Sequence, residues 1–175
     1  VSLNFPNNPS GYTPTRAEME GIAKALTAEA EAGTKLVVCV DDAYYGMFFD
    51  EACDKESIFG RLAKASNNLL AVKVDGATKE EFVWGLRVGF ITFGVKNGTA
   101  GAYKALEDKT AGLIRAYVSN ISNPSQSVVL KALNDPDFRK QQAEKVAILR
   151  SRAAIAQTES RKAEYADCWD VYPFN

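Results

Sequence analysis

Histidine is absent from the 175-residue chain. That absence removes Ser-His-Asp and Cys-His nucleophilic schemes, along with the commonest transition-metal ligand. Any chemistry must then run on lysine, tyrosine, arginine or carboxylates. Cysteine is scarce: Cys39, Cys53 and Cys168 are odd in number, far apart and form no Cys-x-x-Cys pair. Neither a disulfide framework nor a zinc site is signalled, and a reducing cytoplasm is the expected compartment. A basic excess is also missing. Lys plus Arg number 21 against 22 Asp plus Glu, a net charge of −1, so nucleic-acid backbones and anionic membranes are not expected partners. No apolar stretch approaches a membrane span, and no leader is expected before the first strand.

What is present fits one substantial core with something attached. The opening "VSLNF" alternates as a strand and runs into the turn-rich "PNNPSGYTP". Thr15 and Glu18 then make a capping-box pattern, and Met19, Ile22, Ala23, Leu26 and Ala30 share a helical face until Gly33 stops it. "KLVVCV", valine-rich and unbroken, predicts a strand buried on both faces of a parallel sheet and ending at Asp41. A helix is expected over 55–65, then the strand "NLLAVKV" ending at Asp75 and Gly76. "FVWGLRVGFITFG" reads as one further strand with no helix before it, hence antiparallel to its neighbour. From Thr99 the pattern is helical, broken at "SNISNPSQS". The last long helix is predicted to start with Asp135 as N-cap and Pro136 at its first position, with Phe138, Val146, Leu149 and Ala153 on one stripe.

The expected fold class is therefore α/β: a mostly parallel sheet with flanking helices and one antiparallel strand, followed by a long C-terminal connector helix. Residues 1–134 form the large-domain part and 135–175 the connector. The missing initial methionine and the stop soon after a long helix lead us to expect a piece of a longer protein.

Ligands of open α/β sheets bind beyond the carboxyl ends of the parallel strands. Three such ends carry polar groups: Asn8 after the first strand, Asp41 with Tyr44 after the second, Lys79 after the third. Each has a plain structural explanation on its own. Asn8 suits a turn, Lys79 a solvated surface charge, and Arg87 an ion pair. "DDAYYG" suits an acidic loop with its tyrosines on the sheet rim, or a weak magnesium site at Asp41 and Asp42. Together they ask for one ligand with an aldehyde, a basic ring nitrogen, a phenolic oxygen and a phosphate. Pyridoxal 5'-phosphate has all four.

"NNPSG", "DDAYYG" and "DGATKEEFVWGLRVGF" resemble, in this order, the signature segments of fold-type I pyridoxal-phosphate enzymes, specifically the class I/II aminotransferases. The interval from Lys79 to Arg87 with "RVGF" after it is the most specific element, and the motifs cover about residues 1–95. The resemblance implies that Lys79 is the catalytic Schiff-base lysine and that Asp41 partners the pyridinium nitrogen. Asn8 and Tyr44 would donate to the ring oxygen, Arg87 would hold the phosphate as a buried planar fork, and Thr78 would add a hydroxyl. Where some members have a second serine, this chain has Gly76. Lys79 would serve as general base at the substrate Cα, which requires its ordinary pKa of roughly 10.4 to be lowered by its surroundings.

The implied reaction is transamination between an amino acid and a 2-oxo acid, in a homodimer, by the full-length parent. Typical members carry an amino-terminal half and a small carboxy-terminal domain that do not appear here, so the 175-residue chain alone is expected to be inactive. Two alternatives remain: another enzyme of the scaffold (a lyase, decarboxylase or synthase), and a non-catalytic ligand-sensing module of a regulator.

Overall fold

The computed structural model describes residues 1–170. Three parallel strands, β1 (Ser2–Asn4), β2 (Leu36–Asp41) and β3 (Leu69–Gly76), lie side by side in chain order, and β4 (Gly89–Gly94) pairs antiparallel with β3. The predicted antiparallel strand is thus present, and the parallel carboxyl ends share one rim.

Helix α1 (Arg16–Glu31) returns the chain from β1 to β2. Its start is the predicted capping box: the Thr15 hydroxyl accepts from the Glu18 N–H, and the Glu18 carboxylate accepts from the Thr15 N–H at 2.8 Å. Met19 and Ala30 are buried, with Ile22, Ala23 and Leu26 packed beside them. The chain leaves at Gly33 with φ +107°, a conformation that glycine adopts without a Cβ clash.

The next helix is much shorter than the predicted span 55–65: α2 is Phe59–Leu62. The Asp54 carboxylate accepts from the Glu56 N–H at 3.0 Å and the Ser57 hydroxyl from the Phe59 N–H at 3.2 Å. These local side-chain bonds compete with helix hydrogen bonding, and Ser66 does the same for Asn68 at 3.2 Å. Leu62 and Ile58 are nonetheless fully buried against Val38, Val40, Leu69 and Ala71.

Helices α1 and α2 pack on one face of the sheet, which corrects the reading of "KLVVCV". Val38 and Val40 are buried, but Val37, on the opposite face by strand alternation, is 57% exposed. Val74 and Ile91 share that open face and are also exposed.

"FVWGLRVGFITFG" is not one strand. Helix α3 (Ala77–Glu80) follows β3 directly, Trp84–Leu86 form a 3-10 turn, and only 89–94 pair with β3. Phe82 and Arg87 sit at φ +57° and +53°, so the backbone changes direction twice before β4 begins. The apolar residues of this stretch serve a second small core: Val83 and Leu86 pack with Ala77, Val88 and Val129.

Among the described residues three α-helices follow, α4 (Ala100–Tyr117), α5 (Asn123–Leu133) and α6 (Phe138–Ser160), and then a 3-10 turn at Ala163–Tyr165. The predicted break is real but shorter, because Ser122 caps α5 and "NPSQS" is its first turn. Asp135 does not cap α6. Its carboxylate accepts from the Asp137 N–H at 2.8 Å, Asp137 takes the N-cap position, and Pro136 lies outside the helix. The stripe of Phe138, Val146, Leu149 and Ala153 is half-buried, the face by which α6 contacts the rest. Residues 171–175 of the predicted connector segment lie outside the described residues.

Candidate active site

The last residue of β1, Asn4, organises the rim. Its side-chain N–H donates to the Asp41 carbonyl at 3.0 Å, while its carbonyl oxygen accepts from the Asn8 backbone N–H at 2.9 Å and from the Asn7 amide at 3.2 Å. One asparagine therefore ties the loop carrying Asn8 to the end of β2. Sequence reading overlooked it, although a polar residue closing a parallel strand at the ligand-binding rim was a usable signal.

At the end of β2 the strand alternation separates two neighbouring carboxylates. Asp41 faces the rim and its Oδ1 accepts from the Ala43 N–H at 3.1 Å. Asp42 turns inward, is 4% exposed, and its Oδ2 has no hydrogen-bond partner among the described residues. Burial pushes the Asp42 carboxyl up to about 6; Asp75 and Asp41 push the same way, while a hydrogen bond from Ser57 and the charge of Lys73 oppose it. The two carboxylates thus face different surroundings and do not form the paired magnesium site considered above.

The end of β3 supplies the amine. Lys79 lies on α3 and its Nζ stands over the Tyr44 ring, 5.1 Å from the centroid, at cation–π distance. Gly76 sits at a close approach: a Cβ there would lie 3.0 Å from the Val88 carbonyl oxygen, which accepts from the Ala77 N–H at 3.2 Å. The same contact brings Arg87 to the rim. Arg87 is not a buried strand residue, as the sequence reading had it; it is exposed, in the left-handed conformation that ends the 3-10 turn.

Asn8, Asp41, Tyr44, Thr78, Lys79 and Arg87 all line one cavity of about 380 Å³, within the range of roughly 300–1,000 Å³ usual for small-molecule sites. Val74, Asp75, Gly76, Val88, Gly89 and Ala43 complete its wall. Asp75 was not anticipated. Its carboxylate forms an ion pair with Lys73, whose ammonium also lies 5.4 Å from the Tyr45 ring centroid. An amine, a carboxylate, an amide, a phenol, a hydroxyl and a guanidinium thus share one hollow. That donor set fits a ligand that combines a carbonyl, a basic ring nitrogen, a ring oxygen and a phosphate.

An α/β sheet with such a hollow beyond its parallel carboxyl ends has it where open α/β sheets bind their ligands. The sequence profile of the family "Aminotransferase class I and II" matches residues 1–168, and the chain belongs to that family. An aspartate aminotransferase of Bacillus sp. (strain YM-2) is 28% identical over 138 residues, which is 78% of this chain and 30% of that protein. The crystal structure of an aminotransferase from Anaerococcus prevotii DSM 20548 superposes with a TM-score of 0.74 at 24% identity, over 91% of this chain and 40% of that one. An aromatic-amino-acid aminotransferase from Burkholderia pseudomallei, covalently bound to pyridoxal phosphate, superposes with a TM-score of 0.66 at 22% identity, over 90% and 37%. These two likenesses establish the fold, and the chain spans well under half the length of the relatives it matches.

Proposed function

We propose that this chain carries the cofactor-holding part of a pyridoxal-phosphate-dependent aminotransferase that exchanges an amino group between an amino acid and a 2-oxo acid. The observation that carries this reading is the convergence of Asn8, Asp41, Tyr44, Thr78, Lys79 and Arg87 on one cavity from separate segments of the chain. When bound, pyridoxal phosphate supplies an aldehyde that joins amines covalently and a ring that withdraws electrons from the substrate Cα.

The chain's own groups divide the remaining work. The Asp41 carboxylate would keep the ring nitrogen protonated, and Asn8 and Tyr44 would donate to the ring oxygen. Arg87 and Thr78 would hold the phosphate, the guanidinium as a planar fork that lysine cannot replace. Lys79 would be the covalent anchor and, as a free amine, the base for the substrate Cα proton. The exposure of Arg87 fits this role, because a phosphate arriving from solvent needs an accessible guanidinium.

Turnover, substrate choice and a homodimeric assembly belong on this reading to the whole protein, with residues 135–175 leading toward a further small domain. Three cysteines far apart in sequence, with no Cys-x-x-Cys pair, suit a reducing compartment such as the cytoplasm. Among the described residues no helix is long and apolar enough to cross a membrane.

Borohydride reduction in the presence of pyridoxal phosphate, followed by peptide mapping, tests the assignment. Lys79 is expected to carry the label, and Lys79→Ala to lose it. Labels spread over the surface lysines with Lys79 unmarked would reject the reading. The 175-residue chain by itself is expected to hold the cofactor weakly and to show no turnover.

A further inference from the structure

The one-turn helix that carries Lys79 supports itself poorly. Its closing bonds are long: the Glu81 N–H donates to Ala77 O at 3.2 Å, the Phe82 N–H to Lys79 O at 3.2 Å and the Val83 N–H to Ala77 O at 3.4 Å. Directly beyond it Phe82 is held at φ +57°, a conformation unfavourable for a bulky residue unless its surroundings enforce it. Carbonyls at a helix end need partners from elsewhere. Here one partner comes from far along the chain, on α6.

The side-chain Nε2 of Gln142 donates to the Glu80 carbonyl at 2.7 Å and to the Glu81 carboxylate at 2.9 Å. Its Oε1 accepts from Arg139 Nη1 at 2.8 Å, and the same guanidinium nitrogen lies 3.4 Å from Glu81 Oε1. The amide therefore has one workable orientation, because a flipped Gln142 would set its oxygen against a carbonyl and a carboxylate. Arg139 and Gln142 line a small cavity of about 190 Å³ together with Glu80, Phe82, Tyr45 and Val146. Both residues that immediately follow Lys79 are thus gripped by one side chain of the long helix.

We infer that Gln142 is a positioning residue: it clamps the Lys79 turn to α6 and so sets the presentation of the amine to the cavity. The inference rests on the functional reading above for its chemical meaning. Its mechanical content stands on the bonds alone. Displacement of α6 breaks both Nε2 bonds together and frees the turn, so the position of the helix and the order of the lysine are coupled.

The test uses the 175-residue chain and three forms: wild type, Gln142→Leu, and Gln142→Lys, which restores a donor on a stem of similar reach. Hydrogen exchange of the 77–83 amides, read by mass spectrometry, is expected to quicken at least fivefold in Gln142→Leu while the β2 and β3 amides stay unchanged. Gln142→Lys is expected to return to within twofold of wild type. In parallel, the rate of borohydride-trapped pyridoxal phosphate on Lys79 is followed against pH. Gln142→Leu should lower that rate severalfold and shift its pH profile, and Gln142→Lys should recover both.

Exchange and trapping that do not differ between wild type and Gln142→Leu would overturn the clamp. Faster exchange throughout the sheet would also overturn it, since that marks general destabilisation. Local quickening at 77–83 in a chain whose Lys79 is never trapped supports the clamp and refutes the cofactor assignment instead.

Discussion

Asp42 shows how one step along a strand changes the chemistry of a carboxylate. Asp41 meets the cavity, whereas Asp42 is sealed behind it with one oxygen unpartnered among the described residues. Its folded-state pKa of about 6 lies above the ordinary 3.8, so between those values the folded chain binds more protons than the unfolded one. Stability from this group is greatest below about pH 4 and is lost as the pH rises through 6, a penalty of at most about 3 kcal/mol. Lys73 moderates it, and Asp41 and Asp75 aggravate it. Asp42→Asn is therefore expected to raise stability at about pH 8 and to flatten the slope between pH 4 and 6, as read from urea melts at both ends of that range. A variant no more stable than wild type at the higher pH would show that the buried charge is compensated. The neighbouring distinction between Asp41 and Asp42 was half legible: strand alternation puts adjacent carboxylates on opposite faces, but the first reading still allowed both to serve one metal ion.

Among the elements, the end of α2 and β4 pack closely at Gly94. A Cβ on Gly94 would lie 2.5 Å from the Ala63 Cβ and 3.1 Å from the Phe59 ring. Gly94→Ala must push α2 off the sheet, and overpacking of this kind costs about 1–3 kcal/mol. Denaturant melts are expected to show that loss with the slope of the transition unchanged; a neutral variant would mean that α2 yields freely. Nothing in the pattern of "FVWGLRVGFITFG" announced this contact. Apart from Arg87 and Thr92 the run carries no polar side chain, and periodicity could not separate the strand at its end from the turns at its start. Phe82 and Arg87 at positive φ decided the matter, because two reversals in the chain's hand exclude a continuous ladder. The helix signals behaved differently for an equally local reason. Thr15 and Glu18 cap α1 as expected from their spacing, whereas Asp54 and Ser57 used the same side-chain chemistry to withhold helix from residues 55–58.

At the scale of the whole molecule, apolar residues stand exposed on both β2 and β4 among the described residues. Val37 is 57% exposed and Ile91 48%, and Phe90 on the edge strand is 48% exposed. Beside them lies an apolar trough of about 810 Å³ between β4 and α4, with Tyr103, Ile114 and Ile121 in its wall. The folded chain is expected to bind anilinonaphthalene sulfonate without unfolding. The double variant Phe90→Lys and Ile91→Lys should lower that fluorescence severalfold while the far-ultraviolet circular dichroism stays the same. Unchanged emission would place the dye elsewhere.

Local chemistry was enough to read β1 to β3 and α1, the turn after β1 and the antiparallel hand of β4, and the family resemblance named six of the residues that line the cavity, because capping, alternation and motif spacing are properties of neighbours along the chain. Folding alone settled that α1 and α2 cover a single face, that Arg87 stands exposed at a reversal, that Asn4 binds two loops together, and that Gln142 on α6 grips the turn of Lys79. Those outcomes depend on which groups distant in sequence come within a hydrogen bond of one another, and no local pattern encodes that proximity.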